Sequence, residues 1–229
     1  MSAGSQLSAS KLRVVLTGAT GMVGEGVLLE CLHNPDVEHV LMVNRRHSPR
    51  THPKLAELIV PDLFSLDSVV DQLTGFNACF FCAGRTAVGL SEADYTRLTY
   101  DLTVSFARVL AALNPTMTFI YISGAGTDSS EKGRLMWARV KGRTENALRQ
   151  VGFAHVYSFR PGFMRAIHGQ RNLHTSYKLV AWLYPVARVV IPQYVSTLRQ
   201  VAFAMIYVAL NGFSKPILEV RDINALSRP

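Results

Sequence analysis

Leu12-Arg-Val-Val-Leu-Thr-Gly-Ala-Thr-Gly-Met-Val-Gly-Glu-Gly-Val-Leu-Leu-Glu-Cys-Leu32 is the stretch that decides the fold. Leu12–Leu16 is a short apolar run rich in β-branched residues, which reads as a buried strand. Val23, Val27, Leu28, Cys31 and Leu32 then recur at helical spacing, and Asn34-Pro35 ends the helix. Between strand and helix lies Thr17-Gly18-Ala19-Thr20-Gly21-Met22-Val23-Gly24. In such a turn the first glycine permits a tight bend. The second lets the backbone approach a pyrophosphate, and the third lets helix and strand pack closely. The helix N-terminus adds free N–H groups and a positive dipole end. Gly18, Thr20, Gly21, Met22, Val23 and Gly24 are therefore candidate dinucleotide contacts.

Outward from this unit the same alternation repeats. Strands are expected at 37–43, 58–60, 78–82, 118–122 and 155–159, and helices at 66–73, 91–113 and 131–151. Ser91 is the expected N-cap of the long helix, with Asp94 at the capping-box position. The strands are apolar on both faces, as strands sandwiched between helices are. The expected fold is α/β: a Rossmann-like, doubly wound parallel sheet with helices on both faces and a small helical C-terminal lobe. Residues 1–10 read as a flexible leader and 11–229 as a single NAD(P)-binding domain, with 165–215 as a helical substrate-side lobe. Within that lobe 172–190 and 195–211 read as helices, and 216–220 as a last edge strand.

At 229 residues, 48% apolar and 17% charged, the chain is neither disordered nor a coiled coil. No apolar run reaches the ~18 residues of a spanning helix, and 1–10 lacks the apolar core of a secretory signal. Cys31, Cys79 and Cys82 have no metal-ligand spacing. Cys79 and Cys82 read as buried thiols on opposite faces of a strand rather than a redox pair, and a reducing cytoplasm is the expected compartment. Net charge is +8. Residues 1–128 hold 9 Lys/Arg against 12 Asp/Glu, and 129–229 hold 15 against 4. A basic second half suits an anionic partner such as a phosphorylated cofactor. Its arginines are scattered singly, and no nucleic-acid motif accompanies them. A small-molecule substrate and a homodimer are the expected partners. Membrane contact through Trp182, Tyr184, Arg188 and 179–191 ranks below a buried or dimer helix.

The second strand ends Val43-Asn44-Arg45-Arg46, where an NAD site usually presents a carboxylate to the ribose. Arg45 and Arg46 instead suit a 2′-phosphate, which favours NADP while leaving NAD possible; the alternative is two solvated turn arginines. Asp62 either accepts from an adenine amino group or caps the helix starting near Ser65.

These motifs together resemble the atypical branch of the short-chain dehydrogenase/reductase superfamily over roughly 12–165, and its small, single-domain, epimerase-like members in particular. The resemblance implies that Asp62-Leu63 contacts adenine and that Cys82-Ala83-Gly84 is the turn beside the cofactor. It further implies that Tyr121-Ile-Ser123-Gly bears the active-site serine and that Arg160-Pro161-Gly162 covers the nicotinamide. The family's proton relay sets Tyr and Lys four residues apart on one helix face. Here Lys141 and Ser123 are in place, but the tyrosine position is Trp137. Indole donates one hydrogen bond and does not titrate, so the usual relay is in doubt. Ser123, Lys141 and Trp137 are the candidate catalytic set, with Lys141 also a ribose ligand or, alternatively, a plain surface lysine. Tyr100, Tyr121 and Tyr157 are conceivable substitute acids. Tyr95 and Tyr100 read as ordinary amphipathic helix positions, and His155, His168 and His174 as structural or solvated. The expected function is NADP(H)-linked oxidoreduction of a carbonyl or hydroxyl compound. The alternative is an inactive NADP(H)-binding sensor or scaffold.

Overall fold

The computed structural model describes residues 11–173, 184 and 189–227. Strands β1 (Leu12–Thr17), β2 (Val37–Asn44), β3 (Leu55–Ile59), β4 (Ala78–Phe81), β5 (Thr118–Ile122), β6 (His155–Arg160) and β9 (Ile217–Glu219) form one sheet in the order β3-β2-β1-β4-β5-β6-β9. All six pairings are parallel. A separate two-stranded ladder joins β7 (Phe163–Arg165) to β8 (Val195–Thr197). The main helices are α1 (Met22–His33), α2 (Glu92–Thr96), α3 (Leu102–Leu113), α4 (Met136–Leu148), α5 (Leu198–Asn211) and α6 (Val220–Leu226).

Alternation along each strand splits the core in two. Val14, Leu16, Val40, Met42, Phe80 and Ile120 pack with Val27 and Leu28 of α1 and Val201 and Met205 of α5. Val15, Leu41, Val43, Cys79, Phe81 and Phe119 pack with Phe106 and Leu110 of α3 and Leu148 of α4. Successive strand side chains point to opposite faces, so a sheet covered on both sides demands apolar residues at every position. Cys79 lies in the second cluster and Cys82 packs against the first, so the two thiols do face opposite sides, and all three cysteines are free.

Several elements depart from the periodicity. β3 spans Leu55–Ile59, earlier than expected: it is an edge strand, paired among the described residues only to β2, and it accommodates Glu57 because Asn44 and the Ser48 amide bond its carboxylate. The segment Asp67–Leu73 is a 3₁₀ helix, without a side-chain cap to start a full α-turn. Ser91 Oγ caps α2 by accepting from the Asp94 amide at 3.1 Å, but between α2 and α3 the helix widens into a π-type turn over Arg97–Asp101. α4 starts at Met136 because 123–135 is a loop wound around Asp128. The Asp128 carboxylate accepts from the Gly133 amide at 2.6 Å and the Ser130 amide at 3.0 Å. α5, expected in the substrate-side lobe, instead covers the sheet beside α1, with Leu198 within 3.0 Å of where a Cβ on Gly26 would stand. Most of the helix expected at 172–190, and the 1–10 leader, lie outside the described residues. No helix among the described residues is long and apolar enough to cross a membrane.

Candidate active site

In the order β3-β2-β1-β4-β5-β6-β9 the direction of winding reverses between β1 and β4, and ligands of such sheets bind at the strand ends flanking that point. Here the two turns are locked together. Gly18 has φ 71°, and a Cβ there would stand 2.6 Å from the Cys82 carbonyl carbon. The Ala83 amide donates to Thr17 Oγ1 at 3.1 Å. The Gly21 amide donates back to the Gly18 carbonyl at 2.9 Å, and a Cβ on Gly24 would reach within 2.1 Å of that same oxygen. Gly24 is thus a packing glycine. Among the described residues, a Cβ on Gly21 would meet only the Gly18 oxygen, at 3.4 Å, and would otherwise face open space.

That open space is a cleft of about 350 Å³. Gly18, Thr20, Gly21, Arg45, Asp62, Leu63, Cys82, Ala83 and Gly84 all line it, together with Asn44, Phe64, Arg85, Leu98 and Leu102. Arg46 does not line it and is exposed. Asn44, at the end of β2, donates through Nδ2 to Glu57 Oε1 at 2.9 Å, and the same oxygen accepts from the Ser48 amide. This holds the loop that carries Arg45. Asp62 Oδ1 accepts from the Phe64 amide at 3.0 Å. It therefore shapes its own turn, and the cap of the following 3₁₀ helix falls to Leu66 instead. The lining fits a dinucleotide: a glycine cradle that Cβ atoms would fill, amides at the start of α1, and a guanidinium at the far end.

A second cleft, about 200 Å³, opens from the first across Cys82–Arg85 and is lined by Val23, Tyr95, Thr99, Tyr121, Ile122, Ser123, Lys141 and Met164. Ser123 leaves the end of β5 and its hydroxyl meets Thr127 Oγ1 at 2.9 Å. Lys141 Nζ donates to the Ser123 carbonyl at 2.8 Å. Gly142 permits this approach of α4, since a Cβ there would overlap the Asp128 carbonyl at 1.8 Å. Burial brings the Lys141 ammonium down to about 8, with Glu145 opposing. Burial also pushes the Tyr95 phenol up, tempered by Thr99, and raises those of Tyr121 and the Cys82 thiol.

Five more of the expected site residues, besides Gly24 and Arg46, fall elsewhere. Trp137 lines neither cleft, and its ring packs on Gly126. Arg160 is buried and committed to Glu145 (2.6 Å and 3.0 Å), Glu219 (3.1 Å) and Ser129. Pro161 accepts from the Ala125 amide, and Gly162 lies against the Tyr194 carbonyl, where a Cβ would stand at 2.2 Å. Arg160-Pro161-Gly162 is thus a structural strap joining β6 to its neighbours rather than a wall of either cleft. Met22 also lines neither cleft; its carbonyl accepts from Gln170 Nε2 at 2.7 Å. In the other direction, Tyr95, expected to be an ordinary amphipathic position, lines the second cleft with Thr99, and Leu98 and Leu102, which carried no motif, line the first. Arg85, too, carried no motif.

A glycine cradle at the reversal point, with a serine and a lysine beside it, defines a protein of the NAD(P)-binding dehydrogenase/reductase class. The chain belongs to the NAD dependent epimerase/dehydratase family, whose model matches residues 14–132. It is 31% identical over 166 residues to "Protein fmp52, mitochondrial" of Emericella nidulans, covering 69% of this chain and 68% of that protein. It is 30% identical over 168 residues to the protein of the same name from Aspergillus fumigatus, with the same shares of the two chains covered. Among solved structures it is similar to L-sorbose reductase from Gluconobacter frateurii complexed with NADPH and L-sorbose. There the TM-score is 0.66 at 16% identity, over 91% of this chain and 94% of that one; at that identity the likeness establishes the fold. The mitochondrial names of the fungal relatives overturn the expectation of a cytoplasmic protein. That expectation rested on unpaired cysteines, which report a reducing surrounding without telling one reducing compartment from another.

Proposed function

We propose that this protein binds NADP(H) along the two joined clefts and catalyses oxidoreduction of a small carbonyl or hydroxyl compound. The observation that carries this reading is that Ser123 and Lys141 share the wall of the second cleft, which joins the glycine-lined first cleft through Cys82–Arg85. The start of α1 and Gly21 would hold the pyrophosphate, Arg45 the 2′-phosphate, and Lys141 the nicotinamide ribose. Bound there, the nicotinamide would supply or accept hydride. Ser123 would hydrogen-bond a substrate oxygen, and the apolar Val23, Ile122 and Met164 that share its cleft would limit water around it. The names of the relatives favour a mitochondrial setting.

A scaffold or sensor that binds NADP(H) without turnover is the second reading, and Trp137 favours it: no titratable group stands at the relay position. Titration with NADPH and NADH, followed by fluorescence, tests the cofactor assignment. Arg45→Asp is expected to weaken NADPH by about tenfold or more relative to NADH, about 1.4 kcal/mol. Equal weakening of both would defeat the 2′-phosphate assignment.

A further inference from the structure

We propose that Tyr95, on α2, is the proton donor of the second cleft, standing in for the acid that Trp137 cannot supply. The inference rests on the NADP(H)-linked reading above. Tyr95 and Thr99 share the lining of that cleft with Ser123 and Lys141. They owe that placement to the helix they sit on. Positions 95, 98, 99 and 102 form one face, and the π-type turn Arg97–Asp101 splits it, so that Leu98 and Leu102 line the first cleft while Tyr95 and Thr99 line the second. Widened turns of this kind recur where a helix serves a site. The helix is held against α4 from outside by Arg139 Nη2 on Glu92 Oε2 at 2.7 Å.

Among the described residues, the hydroxyls of these two residues meet nothing in the fold but each other. Tyr95 is 2% exposed and Thr99 5%. The Thr99 hydroxyl approaches the phenol, is sealed from water and has no other partner among the described residues. A buried hydroxyl left so costs stability, which sets this wall of the cleft apart from ordinary core packing. The remaining tyrosines suggested by the sequence are spent or misplaced. Tyr100 lies under the Arg143 guanidinium at 4.3 Å. Tyr157 bonds the backbone of Phe213. Tyr121 lines the same cleft, but its phenol is turned to Thr144, itself bonded to the Val140 carbonyl, and its ring lies under Lys141. In the reductive direction the carbonyl carbon accepts hydride from the dihydronicotinamide, which is oxidised. The electron pair of the C=O bond moves to oxygen, and that oxygen takes the Tyr95 phenolic proton. The phenolate then recovers a proton from water at the mouth of the cleft.

The test uses the full chain labelled with 3-fluorotyrosine, with the Tyr95 resonance assigned by its loss in Tyr95→Phe, and diacetyl and 4-nitrobenzaldehyde as carbonyl probes. Saturating NADPH is expected to move the Tyr95 fluorine resonance and leave that of Tyr207, an exposed residue of α5, in place. Tyr95→Phe should bind NADPH as the parent does and lose about a hundredfold in kcat with little change in KM, while Tyr100→Phe keeps the parental rate. Parental turnover in Tyr95→Phe, a Tyr95 resonance indifferent to NADPH, or a parent that binds NADPH yet reduces neither probe each overturns the assignment. A parent that binds no NADPH at all refutes the cofactor reading itself, a separate and earlier failure.

Discussion

Alanine at Gly21 and alanine at Gly24 should damage this protein in different ways, although the two glycines are three residues apart in one motif. At Gly24 the new Cβ would stand 2.1 Å from the Gly18 carbonyl oxygen, 2.5 Å from its carbon and 2.9 Å from the Ala19 nitrogen. All three are backbone atoms, and Gly18 is itself wedged against Cys82–Ala83, so nothing yields without parting α1 from β1 by about 1 Å. Overpacking costs typically 1–3 kcal/mol, and a backbone clash belongs at the upper end. For a chain of this size, about 3 kcal/mol is a fall in Tm of roughly 6–12 °C. At Gly21 the Cβ has a single neighbour at 3.4 Å, and φ is −100°, a conformation alanine adopts freely. The stability cost there is below about 1 kcal/mol, that of an altered N-cap. The methyl would, however, project where a pyrophosphate meets the helix start, and NADPH affinity should fall about tenfold, near 1.4 kcal/mol. Differential scanning fluorimetry and NADPH titration on the two variants separate the effects. Should Gly21→Ala bind NADPH as tightly as the parent, the glycine-lined cleft is a structural turn and not a phosphate cradle.

Two further outcomes follow from buried charges. Lys141 titrates near 8 in the folded chain against 10.5 unfolded. The unfolded state therefore binds more protons between those values, and stability rises with pH across that window. Urea unfolding at intervals from pH 7 to 10.5 should show the parent gaining on Lys141→Met as pH rises; parallel curves would contradict the burial of that ammonium. Glu25 is 2% exposed and joins three segments, accepting from Arg50 Nη2 at 3.0 Å and from the amides of Arg171 and Asn172 at 2.8–3.0 Å. Glu25→Ala strands those donors. With Arg50 partly solvated, a loss of about 2–3 kcal/mol is expected in urea unfolding, together with faster proteolysis near 166–172. Glu25→Gln, which keeps one acceptor oxygen, should recover part of it.

Much of the architecture could be read locally. Strands buried on two faces must be apolar throughout, so β1, β4 and β5 announced themselves, and Asn34-Pro35 marked the end of α1 with equal clarity. Where one flank of an element is solvated or its backbone is tied by a side chain, the pattern fades. β3 hid behind Glu57, and the start of α4 was concealed because Asp128 gathers the preceding loop with bonds no periodicity encodes. The glycine motif and Arg45 could be placed at the first cleft from the few residues around a turn, whereas Ser123 and Lys141, which line the second, were picked out by the family resemblance.

Arg160, Trp137 and Tyr95 mark the boundary of that legibility. An arginine before Pro-Gly looks the same in sequence whether it covers a cofactor or, as here, neutralises Glu145 and Glu219 across the sheet edge. A tryptophan four residues before Lys141 shares its helix face, yet packs on Gly126 outside the cleft. Tyr95 and Thr99 have the spacing of a core stripe, and only the crossing of their helix over the junction of the two clefts converts that stripe into lining. Turn chemistry and the apolar alternation of the sheet are set by neighbours along the chain, and the sequence by itself determined them. Which side chains converge in the second cleft depends on contacts between segments tens of residues apart, and only the tertiary structure decided it.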